Sequence, residues 1–204
     1  ALPAPFNKKT GATLNGNFYL SNINKDSNSK HIGAIKIGKL IEAPFDIDTN
    51  NNLRANLGVN TVGKIPESGM SANIKLDQLD IDEWDKWVTK YLPSNTSSKK
   101  NKSAAPVLRS LTADLKKVQL SKKEFNNVNL TASYINNLWQ GQIDSPVATG
   151  LLTWQAAQPD IPYGKLTARL RKLTFEKNPS TEPGKKTINS RAERIPAMDI
   201  TAEN

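Results

Sequence analysis

Alternation with a period of two dominates the chain. Leu14, Gly16, Phe18 and Leu20 alternate with mostly polar neighbours, and Leu53, Ala55, Leu57 and Val59 do the same. So do Val128, Leu130, Ala132 and Tyr134, then Trp139, Gly141 and Ile143, then Ala148, Gly150, Leu152 and Trp154. Each run predicts a strand with one apolar face and one more polar face. Asn, Gly and Pro punctuate the short apolar runs, as they do between strands and turns. The predicted fold class is all-β.

Three segments share a sharper pattern. Ala72, Ile74 and Leu76 alternate, then come Asp77-Gln78, then Leu79 and Ile81. Leu111, Ala113 and Leu115 are followed by Lys116-Lys117, then Val118 and Leu120. Leu166, Ala168 and Leu170 are followed by Arg171-Lys172, then Leu173 and Phe175. A two-residue polar step would put the second apolar pair on the wrong face of a regular strand. A β-bulge absorbs the extra residue, restores the face and bends the strand. Bulges are therefore predicted near 77–78, 116–117 and 171–172, and with them a strongly curved sheet. Two short strands joined by a tight kink are the alternative. The copies start at 72, 111 and 166, a spacing too irregular for a fixed-period solenoid.

One segment reads as helical. Asp82 can cap, Trp84, Trp87, Val88 and Tyr91 fall at helical spacing, and Pro93 stops it. This predicts a short amphipathic helix near 82–92, capping one end of the sheet's apolar face or facing a membrane. Two polar tracts, 94–105 and 178–194, read as linkers. The organisation is then a β segment over 1–93 ending in the helix, a linker over 94–105, a β segment over 106–177, a loop over 178–194, and the start of a further strand over 195–204. Both ends read as cuts within a longer chain.

Composition removes most catalytic classes. The 204 residues contain no cysteine and a single histidine, His31. Thiol chemistry, disulfides and zinc fingers are excluded, and Ser–His hydrolysis has no motif to rest on. The acidic group Asp77, Asp80, Asp82, Glu83 and Asp85 fits a strand's polar face and a helix start, where the macrodipole favours negative charge. No phosphate-binding glycine loop is present, and no apolar run approaches a transmembrane length. No enzyme activity, metal or cofactor is expected.

The formal net charge of +9 admits acidic partners such as anionic lipid head groups or nucleic acid. Lys116, Lys117, Lys122, Lys123, Arg169, Arg171 and Lys172 form a basic set. Tyr134, Trp139, Trp154 and Phe175 follow the apolar alternation, however, and should point away from it. A single-strand binder would interleave the two, so nucleic acid is the least favoured partner.

A long apolar face must be covered, either by a second sheet or by folding into an open trough that takes acyl chains. Periodicity does not choose. Several stretches do resemble a known family: Leu2-Pro3-Ala4-Pro5-Phe6, Gly69 to Trp84, Phe125 to Trp154 with its Asp-Ser-Pro-x-Ala-x-Gly-x-Leu-x-Trp ending, Gly164 to Phe175, and Ile195 to Ile200. In this order they resemble the YhdP-type branch of the AsmA-like proteins, as an internal or C-terminal-side segment. The resemblance implies an elongated antiparallel sheet folded into an apolar trough. It also implies a periplasmic location in a full-length protein anchored to the inner membrane of a Gram-negative cell, with components of both membranes as partners. The implied role is to bind or conduct phospholipid between the inner and outer membranes. The expected groove lining is Leu111, Ala113, Leu115, Val118, Leu120, Val128, Leu130, Ala132, Tyr134, Ile143, Leu152, Trp154, Leu166, Ala168, Leu170, Leu173 and Phe175. The alternatives are a closed-core structural β-domain of the envelope and a polyanion-binding module.

Overall fold

The computed structural model describes residues 2–7, 13, 15–25, 28–91, 107–121, 123–174 and 197–203. The strands are β1 (Gly16–Lys25), β2 (Asn28–Ile37), β3 (Ile41–Ile47), β4 (Leu53–Val59), β5 (Met70–Leu76), β6 (Leu79–Asp80), β7 (Leu108–Leu120), β8 (Lys123–Ile135), β9 (Leu138–Asp144), β10 (Ala148–Gln155), β11 (Lys165–Leu173) and β12 (Ala197–Ala202). One helix, α1 (Ile81–Tyr91), follows β6. The strands form one unclosed sheet in the order β1-β2-β3-β4-β5-β7-β8-β9-β10-β11-β12, with β6 beside β7. The chain divides into two compact units, Ala1–Thr131 and Ala132–Asn204.

The all-β expectation holds, with a correction to strand direction. The sheet is mixed: β4–β5, β5–β7, β6–β7 and β11–β12 are parallel. Parallel neighbours need crossover connections, and the polar tracts 94–105 and 178–194 fall in two of them. Both tracts lie outside the described residues.

The first two copies of the repeated pattern lie side by side. Ala72 pairs with Leu111, Ile74 with Ala113 and Leu76 with Leu115. Across the polar step, Leu79 pairs with Val118. The same 39-residue offset is kept before and after the step, so the two copies take it together. In the first copy the strand breaks, with β5 ending at Leu76 and β6 resuming at Leu79. This is the two-strand alternative rather than a bulge. In the second, β7 runs on through Lys116 and Lys117. The shift between β5 and β7 falls elsewhere, where Arg109 is passed over between Leu108 and Ser110.

The third copy carries the predicted bulge. Lys172 pairs with Thr149 and Leu170 with Gly150, leaving Arg171 as the extra residue. Gly150 permits it, since a Cβ there would run into the Arg169 carbonyl and come within 2.6 Å of Leu170 Cα. Leu170 and Leu173 thereby return to one face, opposite Gly150 and Ala148.

The helix cap is Asp80 rather than Asp82. The Asp80 Oδ1 accepts the Glu83 amide at 2.9 Å. The Asp82 carboxylate instead accepts the backbone N–H of Ser121 at 3.1 Å, tying the first turn to the end of β7.

Candidate functional site

Register places the apolar residues of the larger unit in rows across the strands. One row runs Gly16, Ile37, Ile41, Val59, Ile74, Ala113, through β1, β2, β3, β4, β5 and β7. A second runs Leu20, Gly33, Phe45, Ala55, Met70, Leu108. Phe18 faces Ile35 and Ala43 between them, and its ring stacks on Phe45 at 6.1 Å. All these positions share one face, because neighbours in register point the same way.

The opposite face is polar and is laced by ion pairs between adjacent strands. A row there runs Asn17, Lys36, Glu42, Gly58, Asn73, Thr112. Lys36 pairs with Glu42 at 2.8 Å and Lys75 with Asp114 at 3.2 Å. The Arg54 Nε and Nη2 each donate to the buried Asp46 carboxylate at 2.7 Å, and Arg54 Nη1 reaches the Glu67 carbonyl at 3.4 Å. This bidentate hydrogen bond raises the guanidinium pKa. Asn56, fully buried, donates to Ser71 Oγ and Asn73 Oδ1 and accepts from the Gly63 amide. These bonds fasten the 60–69 connection over the polar face, leaving the apolar face to other cover.

That cover is partial. Val59, Leu76, Ala113, Leu115 and Val118 form a buried cluster, with Phe6, Leu40, Ile74, Leu79, Phe125, Val128 and Leu130 packed against it. Away from it, Phe18 is 66% exposed and Leu20 51%, both on the same apolar face.

The smaller unit repeats the division of faces. Trp139, Trp154, Leu166 and Met198 form one row, Gly141, Leu152, Ala168 and Ile200 the next, and Ile143, Gly150, Leu170 and Ala202 the third. Trp154 crosses Gly164, which has φ +78° and where a Cβ would meet the indole at 2.8 Å. The Tyr134 ring lies 5.6 Å from Trp139. On the other face stand Gln142, Leu151, Arg169 and Thr201. Arg169 forms a bidentate pair with Asp199 at 2.9 Å and holds that carboxyl below its ordinary value. Trp139 and Trp154 thus point away from Arg169.

The expected lining residues fall as follows. Leu111, Ala113, Leu115 and Val118 share the apolar face of the larger unit, the last three buried. Leu120 is 42% exposed. Val128 and Leu130 are half-buried against the same cluster. In the smaller unit Ala168 and Leu170 are buried, and Ala132, Tyr134, Ile143, Leu152, Trp154, Leu166 and Leu173 are half-buried. Phe175 lies outside the described residues. The sequence reading omitted the apolar face of β1–β5 from the lining, and did not single out β2 or β3. The Ile41, Ala43, Phe45, Ile47 alternation was a usable signal for β3. In β2, Ile32 and Ala34 on the polar face blur the alternation.

Among the described residues, no group of three or more His, Cys, Asp or Glu could hold a metal. His31 is half-buried, and its Nδ1 hydrogen-bonds the Asn22 side chain. Of the basic set, Lys116 pairs with Asp77 at 2.6 Å and Lys117 with Glu124 at 3.2 Å. The Lys116 hydrogen bond lowers the Asp77 pKa. No helix among the described residues is long and apolar enough to cross a membrane.

The family model described as YhdP protein matches residues 1–204. The chain belongs to the YhdP family. No curated protein and no solved structure matches it. YhdP family membership suggests a role related to lipid transport in the cell envelope, in a family not known for enzymatic activity.

Proposed function

We propose that the apolar face of this YhdP-family segment binds phospholipid acyl chains. The segment would be part of a periplasmic bridge, anchored in the inner membrane through parts of the protein outside these 204 residues. In the larger unit the expected lining from Leu111 to Leu130 then joins the β1–β5 face as a passive lipid-binding surface. In the smaller unit the lining from Ala132 to Leu173 supplies another, for phospholipid moving between the two membranes. One observation carries the reading: apolar rows run unbroken from strand to strand on one face, while ion pairs and the 60–69 connection occupy the other.

The energetics suit an acyl chain. Each buried CH₂ contributes roughly 0.8 kcal/mol, so a tail laid across a few strands gains several kcal/mol without a polar site. Phe18, Leu20 and Ile35 supply exposed apolar surface on that face. Native mass spectrometry of the purified chain tests the proposal. Co-purifying phospholipid, or uptake of a fluorescent phospholipid from vesicles, is expected. Absence of both favours the closed-core structural domain, and salt-dependent binding of single-stranded DNA instead favours the polyanion module.

A further inference from the structure

We propose that residues 2–7 and α1 form a displaceable cap on the apolar face of the larger unit, and that an acyl chain reaches the buried cluster by taking the place of the Phe6 ring. The second half rests on the lipid-binding reading above; the first does not.

The cap is built as an aromatic ladder. Phe6 packs against the buried cluster of Val59, Leu76, Ala113, Leu115 and Val118. Trp84 meets Phe6 edge-on at 5.6 Å, Trp87 meets Trp84 at 5.9 Å, and Tyr91 meets Trp87 at 5.3 Å. The ladder thus runs from a core contact out to Tyr91, which is 51% exposed. Lys90 stands 5.0 Å over that last ring.

Among the described residues, polar ties run from α1 to Ala4 and to the end of β7. No residue of α1 is buried. The Trp84 indole N–H donates to the Ala4 carbonyl at 3.1 Å, and Asp82 accepts from the Ser121 amide. Phe6 is itself held by a turn, its amide bonding the Pro3 carbonyl at 3.0 Å. An element with no buried side chain belongs to the low-stability end of a fold, which opens without global unfolding. Phe6 is the cap's apolar contact with the cluster.

The chain has no cysteine, so Val118→Cys places a single thiol beneath the cap. We expect Phe6→Ala to speed maleimide labelling of that thiol by about tenfold, the effect of losing one half-buried aromatic contact. Labelling of Ala55→Cys, buried in the same unit outside the cluster, should not change. Equal acceleration at both thiols, or at neither, overturns the cap. For the second half, uptake of a pyrene-labelled phosphatidylcholine from phosphatidylcholine vesicles should rise with Phe6→Ala. It should fall when Phe6→Cys and Trp84→Cys are bridged by a short bismaleimide. Bridged protein that loads as fast as unbridged protein overturns the gate. Failure of every form to load overturns the lipid reading and the gate together, with the labelling result still deciding the cap.

Discussion

The two units divide their faces alike but bury their apolar surface by different means. The larger has the thicker cover, in which Phe6 and Leu40 pack against a buried cluster and α1 meets Phe6 through Trp84. Its polar face is pinned by a fully buried Asn56 network. In the smaller, the buried hydrophobic residues among those described are Ala168 and Leu170. There, glycines let backbone and indole approach closely, and a bulge re-aims the strand end. The difference teaches that one sequence pattern can serve two kinds of cover. The three copies of the long strand supply the face, and what packs on each copy decides how much of it is buried.

This comparison can be broken most forcefully at the thick cover. Leu115→Ala should cost about 2–4 kcal/mol, because a large buried side chain leaves a cavity that flanking strands close only in part. Hydrogen exchange should accelerate across β4, β5 and β7 and leave β10–β11 unchanged. Gly150→Val strikes the other device. It should cost about 2 kcal/mol or more by forcing β10 and β11 apart at the bulge, with faster exchange confined to β9–β12. If either variant loosened both units equally, the distinction between them would fail.

The smallest effect concerns the edge of the thin unit. Arg169 holds Asp199 below its ordinary pKa of 3.8. A depressed folded pKa contributes stability above the unfolded value, and that contribution is lost as pH falls through the folded one. Native protein should therefore exceed Asp199→Asn slightly in melting temperature at pH 6, and the gap should close as pH falls below about 4. Both side chains are about half exposed, 50% and 44%, which keeps the gap small. A gap that widened on acidification would contradict the assignment.

Much of the fold was legible in alternation alone. The runs at 53–59, 128–134, 139–143, 148–154 and 166–170 all became strands, as did Met198-Asp199-Ile200. The 39-residue spacing between the first two copies of the repeated pattern became a register offset. Parallel pairing was not legible, because alternation fixes a strand's faces and says nothing of its neighbour's direction. The bulge at Arg171 could be read, yet the same step at Asp77-Gln78 became a break. A strand whose parallel partner takes the step at the same place can break without losing register. The cap by Phe6 and α1 was half legible, since helical spacing gave the aromatic stripe. That Phe6 would meet Trp84 depends on a contact between residues far apart in sequence.

The central claim is that one face, and only one, takes lipid. Phe18 and Tyr19 are neighbours on β1, 66% and 61% exposed, and their register puts them on opposite faces. Uptake of the pyrene-labelled phosphatidylcholine by Phe18→Asp and Tyr19→Asp, compared at matched folding, tests that claim directly. Loss of uptake in Phe18→Asp with uptake kept in Tyr19→Asp is the result expected. Equal uptake in the two variants would contradict it.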